Sequence, residues 1–592
     1  MKNKPATLTA IVEKITWVFL SALFVILFFK PVETGDIWWH LKIGEYIFLN
    51  GTVPVIDPFP FSGEKSVWVL TQWLGSLIYY GVYQVFGLVG LQVFRLFLFG
   101  LVLWIFIRNI SKKIPASGII FLTFILILAL YNRPHLRPFV FNFIFIQVFL
   151  NALFSFALTK RASSLFPVFI TGPIWVNAHL GYFMYGLSLI GIFLFTSGVE
   201  LVKSRGNKTS EHEQIRKLLA GYGLALVVFL IMFLFNPYGI NGALHPIRTL
   251  LFDDYLNFSH LKTTISELQP PNLLLSDYYW FWAVLIIGGY TIYMDRIQRF
   301  RNLILILFSF FMFLYGQRAG LFFALVVFYT FSESFQYIKV EQFAFIRKAK
   351  VIFLICLCVC LGLMVHSEWQ KRIFVDGRIY LPFRLSEDYT SPKPLLERLK
   401  RLNIQGAVFN DDSYGGYILW HNYPGVRPFS DTRQINLNNF KLYTLILHDP
   451  SRYWNQVDVF NDFRAVLLDA NKEVNRKAIS FFLTNPEWSL ILVKGDQVLF
   501  IKKSKNSDEY VQSLLSEEVN IPVYKQTISQ TLSSPPRHPI KYIYMEPVST
   551  AITLYELGFK GAALKQMAYS FKISNSPFQH EMASLILDHI SR

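Results

Sequence analysis

Up to about residue 366 the chain is a succession of long apolar runs, and no other feature of the sequence limits its fold so strongly. A helix needs roughly 20 apolar residues, with a range of about 17–25, to cross the hydrocarbon of a bilayer. Apolar runs near this length lie at about 12–30, 80–107, 116–132, 138–158, 164–178, 180–199, 217–235, 277–294, 302–316, 319–337 and 351–366, which predicts about eleven membrane-spanning helices. The pair at 164–178 and 180–199 is divided by a very short loop. The first run is too long for a removable signal peptide and lacks a small-residue cleavage site. Only 16% of the 592 residues are charged and 53% are hydrophobic, against roughly 25% charged in ordinary soluble domains. That much apolar surface exceeds what a water-soluble core would use.

A formal charge of +17 would suit a nucleic-acid partner if the cations formed one face. They do not. Lys and Arg sit in short loops between the apolar runs, where they orient a membrane protein and meet anionic headgroups. Lys2, Lys4 and Lys14 precede the first span, Arg108, Lys112 and Lys113 follow the second, and Lys160 and Arg161 follow the fourth. Lys203, Arg205, Lys208, Arg216 and Lys217 follow the sixth, Arg296, Arg299 and Arg301 follow the eighth, and Arg347, Lys348 and Lys350 precede the eleventh. The alternation predicts a cytoplasmic N-terminus. The first long loop, the loop at 236–276 and everything after residue 367 then fall outside the cytoplasm. Cys356, Cys358 and Cys360 share one apolar run, and alternate spacing cannot place three thiolates on one helix face, so they read as packing or lipid-facing residues.

The apolar runs set the domains: a transmembrane region at 1–366, a linker at 367–392, an α/β domain at 393–505 and a mainly helical segment at 506–592. Within the α/β portion, 394–402 reads as an amphipathic helix, 406–409 and 464–468 as buried strands, and 489–502 as a hairpin turning at Gly495-Asp496. Beyond 545, helical patterns near 548–558, 560–572 and 577–590 resemble one tetratricopeptide-like pair with an added helix.

Polar residues collect at the outer ends of the spans, where ionisable groups are costly and serve a purpose. The first outer loop carries GDIWWHLKIGEY (35–46), DPFPFSG (57–63) and WVLTQW (68–73). RPHLRP (133–138), WVNAHLGY (175–182) and NPYGINGALHPIR (236–248) follow, then Glu267 and the Gln317-Arg318 pair. Asp36, His40 and Glu45 are expected on one helix, within about one quadrant or its neighbour, since residues four apart share a face. A carboxylate there can act as a general base toward an acceptor hydroxyl. Arg133, Arg137 and Arg318, with His135 and His179 nearby, suit a phosphate, because guanidinium geometry matches its oxygens. The rival readings are structural: Asp36 as a helix cap, Glu45 as a solvated helix residue, Arg133 and Arg137 as snorkelling side chains, and His179 as a packed interhelical histidine. Asp57 before Pro58 reads as turn chemistry, Asn236-Pro-Tyr-Gly as a helix stop, and the glycines of DDSYGGY (411–417) as a tight strand-to-helix turn. No spacing in the sequence makes a convincing metal site.

The order of GDIWWHLKIGEYI, VPVIDPFPFS, WVLTQWL, RPHLRPFVF, WVNAHLGYFMYG and NPYG, followed by SYGGYILW and FSDTR, resembles a group of bacterial membrane proteins. That group is similar to GT-C-fold glycosyltransferases, the fold of protein O-mannosyltransferases and aminoarabinose transferases. The resemblance covers nearly the whole chain. It implies a polytopic α-helical protein of the bacterial inner (plasma) membrane with an extracytoplasmic α/β domain. It also implies a polyprenyl-phosphate sugar donor, a glycan, lipid or protein acceptor, and transfer with inversion at the sugar. The family's essential acidic residue of the first outer loop matches Asp36. The acidic neighbour that often accompanies it is absent, since Ile37 and Trp38 follow, so a divalent cation would find one carboxylate there instead of two.

Two other classes compete. A transporter or flippase for a lipid-linked glycan would show matched halves with interrupted helices near mid-membrane, and no such symmetry is visible. A non-catalytic assembly protein would tolerate substitution throughout the first loop. The topology itself is directly testable. In a background free of Cys356, Cys358 and Cys360, Ser62→Cys is expected to react with an impermeant thiol reagent in intact cells, and Ser111→Cys is not. The reverse pattern sinks the assignment of inside and outside.

Overall fold

The computed structural model describes residues 8–33, 35–61, 66–131, 135–204, 209–251, 262, 265–275, 278–295, 298–335, 344–375, 378–379, 390–503, 508–536, 546–573 and 575–591. The chain divides into two compact units. The first comprises residues 1–29, 47–55 and 69–365, and the second residues 30–46, 56–68 and 366–592.

The first unit is helical. Leu8–Phe28, Trp73–Ile110, Val140–Thr159, Leu180–Lys203, Glu211–Met232, Gln317–Phe335 and Lys350–Glu368 (the last running on into the second unit) are seven helices long and apolar enough to cross a membrane. Four more of the expected spans are helices of 13 to 17 residues: Ala116–Tyr131, Phe166–Ala178, Tyr279–Met294 and Arg299–Tyr315. At 1.5 Å per residue these are about 20–26 Å long, short of a hydrocarbon layer of about 30 Å. Val140–Thr159 and Gln317–Phe335 are the most enclosed by their neighbours, and Lys350–Glu368 the least. Gly87 interrupts Trp73–Ile110 with φ 60° and ψ −152°, a conformation that glycine alone adopts cheaply.

Polar side chains tie these helices together where water cannot compete. Trp175 Nε1 donates to Asn142 Oδ1 at 2.8 Å, Gln147 Nε2 donates to the Val102 carbonyl at 3.1 Å, and Asn109 Nδ2 donates to the Tyr329 hydroxyl at 2.6 Å. The unit's sequence motifs interlock in the same manner. Trp73 Nε1 donates to Asn177 Oδ1 at 2.8 Å, the Leu180 amide donates to the Thr71 carbonyl at 2.9 Å, and the Tyr238 hydroxyl donates to the Pro54 carbonyl at 2.9 Å. Asn236 accepts from the Tyr238 amide and donates to the Gly239 carbonyl, as its helix-stop reading requires.

The second unit is built on a five-stranded sheet. Its strands are β1 (Gly406–Asn410), β2 (Val426–Pro428), β3 (Ala465–Asp469), β4 (Trp488–Lys494) and β5 (Gln497–Lys502), in spatial order β2-β1-β3-β5-β4. β1 pairs in parallel with both β2 and β3, and β5 runs antiparallel to β3 and β4. Phe409, Val466, Leu467 and Leu499 are fully buried, as expected of strands covered on both faces, which read as unbroken apolar runs. β4 and β5 form the hairpin expected at Gly495-Asp496, and Gly495 supplies the positive φ of 59° that such a two-residue turn demands. Helices Glu546–Glu556, Lys560–Ile573 and Pro577–Ser591 pack about Ile528, Ala551, Leu564, Met567 and Ala583.

The unit also holds stretches that the sequence assigns to the first outer loop. Arg433, three-hundredths exposed, donates from Nη1 to Asp57 Oδ1 at 2.7 Å and from Nη2 to Asp431 Oδ2 at 2.8 Å. Asp57 keeps its turn role as well, accepting from the Phe59 amide at 3.0 Å. Phe61 packs on Phe429 and Phe463, and Phe59 on Tyr423. Replacing the buried cation leaves two carboxylates with no countercharge from it, so Arg433→Met is expected to cost about 3–5 kcal/mol. Asp57→Asn should cost less, because Arg433 retains Asp431. Thermal unfolding of the purified protein reads both, and equal, negligible shifts would show the triad to be dispensable.

Candidate functional site

The helix Asp36–Asn50 begins at Asp36 because Gly35, at φ 119°, turns the chain into it. Asp36 is half-buried in the first turn, where a carboxylate is favoured by the helix dipole. His40, one turn on, is buried, with its ring 3.6 Å from that of Trp39. Asp36 and His40 therefore share a face, as expected. Glu45 does not join them. Nine residues from Asp36 is two and a half turns, which places it on the opposite side of the helix, and it accepts from Lys42 Nζ at 2.9 Å.

The start of this helix is clamped by Asp412–Asn422. Trp38 packs edge-on to Tyr417, with centroids 4.9 Å apart, and lies 5.1 Å from the ring of His421. The two glycines of DDSYGGY lie inside the Asp412–Asn422 helix, which corrects their reading as a tight turn. They are there for close approach. A Cβ on Gly415 would fall 2.3 Å from the Ser430 carbonyl oxygen and 2.4 Å from Asp431 Cβ, and one on Gly416 would fall 3.0 Å from the Gly35 carbonyl oxygen.

The carboxyl end of β1 is the point where the chain departs first to β2 on one side and later to β3 on the other, the switch point at which open α/β sheets gather polar groups. Asp411 is fully buried there. It receives Lys472 Nζ at 2.5 Å, Ser413 Oγ at 2.6 Å and Asn475 Nδ2 at 2.8 Å. Burial alone would raise the Asp411 carboxyl, but the Lys472 charge and these donors outweigh it and hold the group below the ordinary range. Asp412 behaves oppositely. Desolvation pushes it up to about 7, aided by Asp431 and Asp411, while the hydroxyl of Ser430, donating at 2.6 Å, opposes the rise. Beside this point a small solvent-open cleft is lined by Phe59, Phe61, Asp431, Arg433, Asn436 and Phe440, among others.

In the helical unit, Arg137 and Arg318 converge on one carboxylate. Arg137 Nη1 donates to Glu267 Oε1 at 3.0 Å, and Arg318 Nε to Glu267 Oε2 at 2.9 Å. Glu267 lies in a short 3₁₀ turn, Ser266–Leu268, held against the Gln317–Ala319 turn by the Gln317 amide donating to the Gln269 carbonyl at 3.0 Å. His135 is exposed in the turn before Val140–Thr159, its carbonyl accepting from the Arg137 amide at 3.0 Å. His179 is buried between the edges of Phe139 and Tyr182, in keeping with its packed reading. The Tyr182 hydroxyl stands 3.5 Å from the Arg318 carbonyl. Arg133 lies outside the described residues. The Glu267 bridge is the feature that sequence reasoning missed, because a lone glutamate at the end of a long loop carries no signal of its partners. Among the described residues no group of three or more His, Cys, Asp or Glu side chains is arranged to hold a metal ion.

The contrast between the two neighbouring aspartates makes a pH prediction. Asp412 titrates higher folded than unfolded, so its contribution to stability is full below about pH 4 and is lost as the pH rises through about 7. Asp412→Asn, which can still accept from Ser430, should stabilise the protein at pH 8 by about 1–3 kcal/mol and change little at pH 4.5. Thermal unfolding across this range checks it, and an equal effect at both ends would refute the assignment.

No protein-family model and no curated protein matches the chain. Among solved structures, the chain is similar to the archaeal oligosaccharyltransferase AglB from Archaeoglobus fulgidus, solved in complex with an inhibitory peptide and a dolichol-phosphate. The likeness covers 79% of this chain and 70% of that one, at 12% sequence identity and a TM-score of 0.47. At that identity and score it assigns neither an activity nor site residues.

Proposed function

We propose that this chain is a membrane glycosyltransferase that moves a sugar from a polyprenyl-phosphate donor to an acceptor on the extracytoplasmic face. The observation that carries the reading is the convergence of Arg137 and Arg318 on Glu267, at helix ends that the alternation of basic loops assigns to the outer side. Two guanidiniums sharing one carboxylate leave a net positive charge, and their planar forks match phosphate oxygens. The motif order of the sequence, from GDIWWH to FSDTR, supplies the second support.

In this reading Asp36 takes the proton of an acceptor hydroxyl. The hydroxyl oxygen attacks the anomeric carbon, the bond from that carbon to the phosphate oxygen breaks, and the polyprenyl phosphate leaves with the electron pair. Attack opposite the leaving group inverts the sugar. Arg137 and Arg318, with Arg133 from the same motif, hold the donor phosphate and its growing charge. His40 supports Asp36 from the adjoining turn of its helix, and Glu45 acts on that helix only through Lys42.

The test uses the polyprenyl-phosphate-sugar fraction extracted from membranes of cells lacking the protein, which should be enriched in unused donor. With full-length protein, Asp36→Asn is expected to lower transfer about 10²–10⁴-fold at normal expression and thermal stability, leaving donor binding intact. Arg137→Ala should instead weaken donor binding about ten- to a hundredfold. A folded Asp36→Asn protein with undiminished transfer would show that Asp36 only begins a helix, where asparagine serves as well.

A further inference from the structure

Resting on that reading, we infer that Gly416 of the α/β domain is a positioning residue for Asp36: it lets the Asp412–Asn422 helix seat directly on the backbone that carries the base.

The seat is visible in distances. A Cβ on Gly416 would lie 3.0 Å from the Gly35 carbonyl oxygen, 3.3 Å from the Trp39 amide nitrogen and 3.5 Å from Trp39 Cδ1. Two of these atoms are backbone on either side of Asp36, so a methyl group cannot be accommodated by swinging a side chain aside. It must move the turn itself. Gly35 has φ 119°, so its place in that turn is one that other residues adopt only with strain. On the same helix Tyr417 and His421 grip Trp38, which is fully buried and donates from Nε1 to the Glu33 carbonyl at 3.1 Å. The start of the helix bearing Asp36 is thus met at Gly35, Trp38 and Trp39 by one face of the Asp412–Asn422 helix.

That helix is in turn held on its other side. Asp411 caps it, accepting from the Ser413 amide at 3.0 Å, and Gly415 lets it press on Ser430 and Asp431 beside the buried Arg433. A displacement at Gly416 therefore has nowhere to go except toward Gly35 and Trp39.

The experiment is a double-substitution cycle on full-length protein, using the same extracted polyprenyl-phosphate-sugar fraction as donor. Gly416→Ala forces a shift of a few tenths of an ångström, and a misplacement of about 1 Å can cost on the order of 10²-fold in rate. We expect kcat to fall about tenfold, with donor KM and melting temperature near those of the parent. Combined with Asp36→Asn, it should add nothing, because a residue that acts through Asp36 has no further effect once the carboxylate is gone. Losses that multiply in the double variant, or a Gly416→Ala protein with unaltered kcat, overturn the inference while leaving Asp36 as the base. An active Asp36→Asn protein fails the base assignment instead, and a Gly416→Ala loss persisting in that background shows that the glycine acts elsewhere. Tyr417→Ala should repeat the kcat loss without a change in donor KM.

Discussion

A buried guanidinium holds the second unit together. Arg433 cannot shed its charge and cannot remain buried without countercharges, so it must find acceptors in fixed directions. It finds Asp431 two residues away and Asp57 376 residues away. The first contact shapes the loop leaving β2, and the second draws a segment of the first outer loop onto the sheet. Phe59, Phe61 and Trp68 then cover the cation and the strand ends around it. The short stretch that begins at Gly35 meets the same unit through Gly416, Tyr417 and His421.

The switch point of the sheet shows how the same residue type is given opposite states. Asp411 and Asp412 are adjacent, yet one is held ionised by Lys472, Ser413 and Asn475 while the other is driven toward its neutral form by desolvation and two neighbouring carboxylates. Environment sets the state, since the side chains are chemically identical. The result anchors the N-terminus of the Asp412–Asn422 helix with one charged cap and one hydrogen-bonded carboxyl, without stacking two negative charges at a buried point.

In the helical unit the governing constraint is different. Backbone groups are satisfied within each helix, so the helices are held to one another by shape and by a few side-chain hydrogen bonds. Trp175 to Asn142 and Asn109 to Tyr329 are of this kind. The ionic contacts of Arg137 and Arg318 stand apart from them, at helix ends and partly open to solvent. Two guanidiniums on one carboxylate keep a net positive charge there without its being fully buried.

Much of this was legible in the sequence because it depends on neighbours along the chain. Apolar runs became helices at the expected places, the hairpin turned at Gly495-Asp496, and Asn236 ended a helix, each the outcome of period, length or turn chemistry within a few residues. The length of a run did not settle how many helices span, since four of the eleven expected are shorter than the hydrocarbon. The expectation that Glu45 lies in the quadrant of Asp36 or its neighbour fails on helical period itself, since nine residues put it half a revolution away, where it pairs with Lys42. What the tertiary structure alone decided is which distant polar groups meet. Nothing local tells Asp57 from any other aspartate before a proline, or shows that Arg137 and Arg318 will share Glu267, because those choices are fixed by packing between segments remote in sequence. The glycines of SYGGY carry the same lesson: their presence was plain in the sequence, but the backbone they make room for became identifiable only once the chain had folded against them.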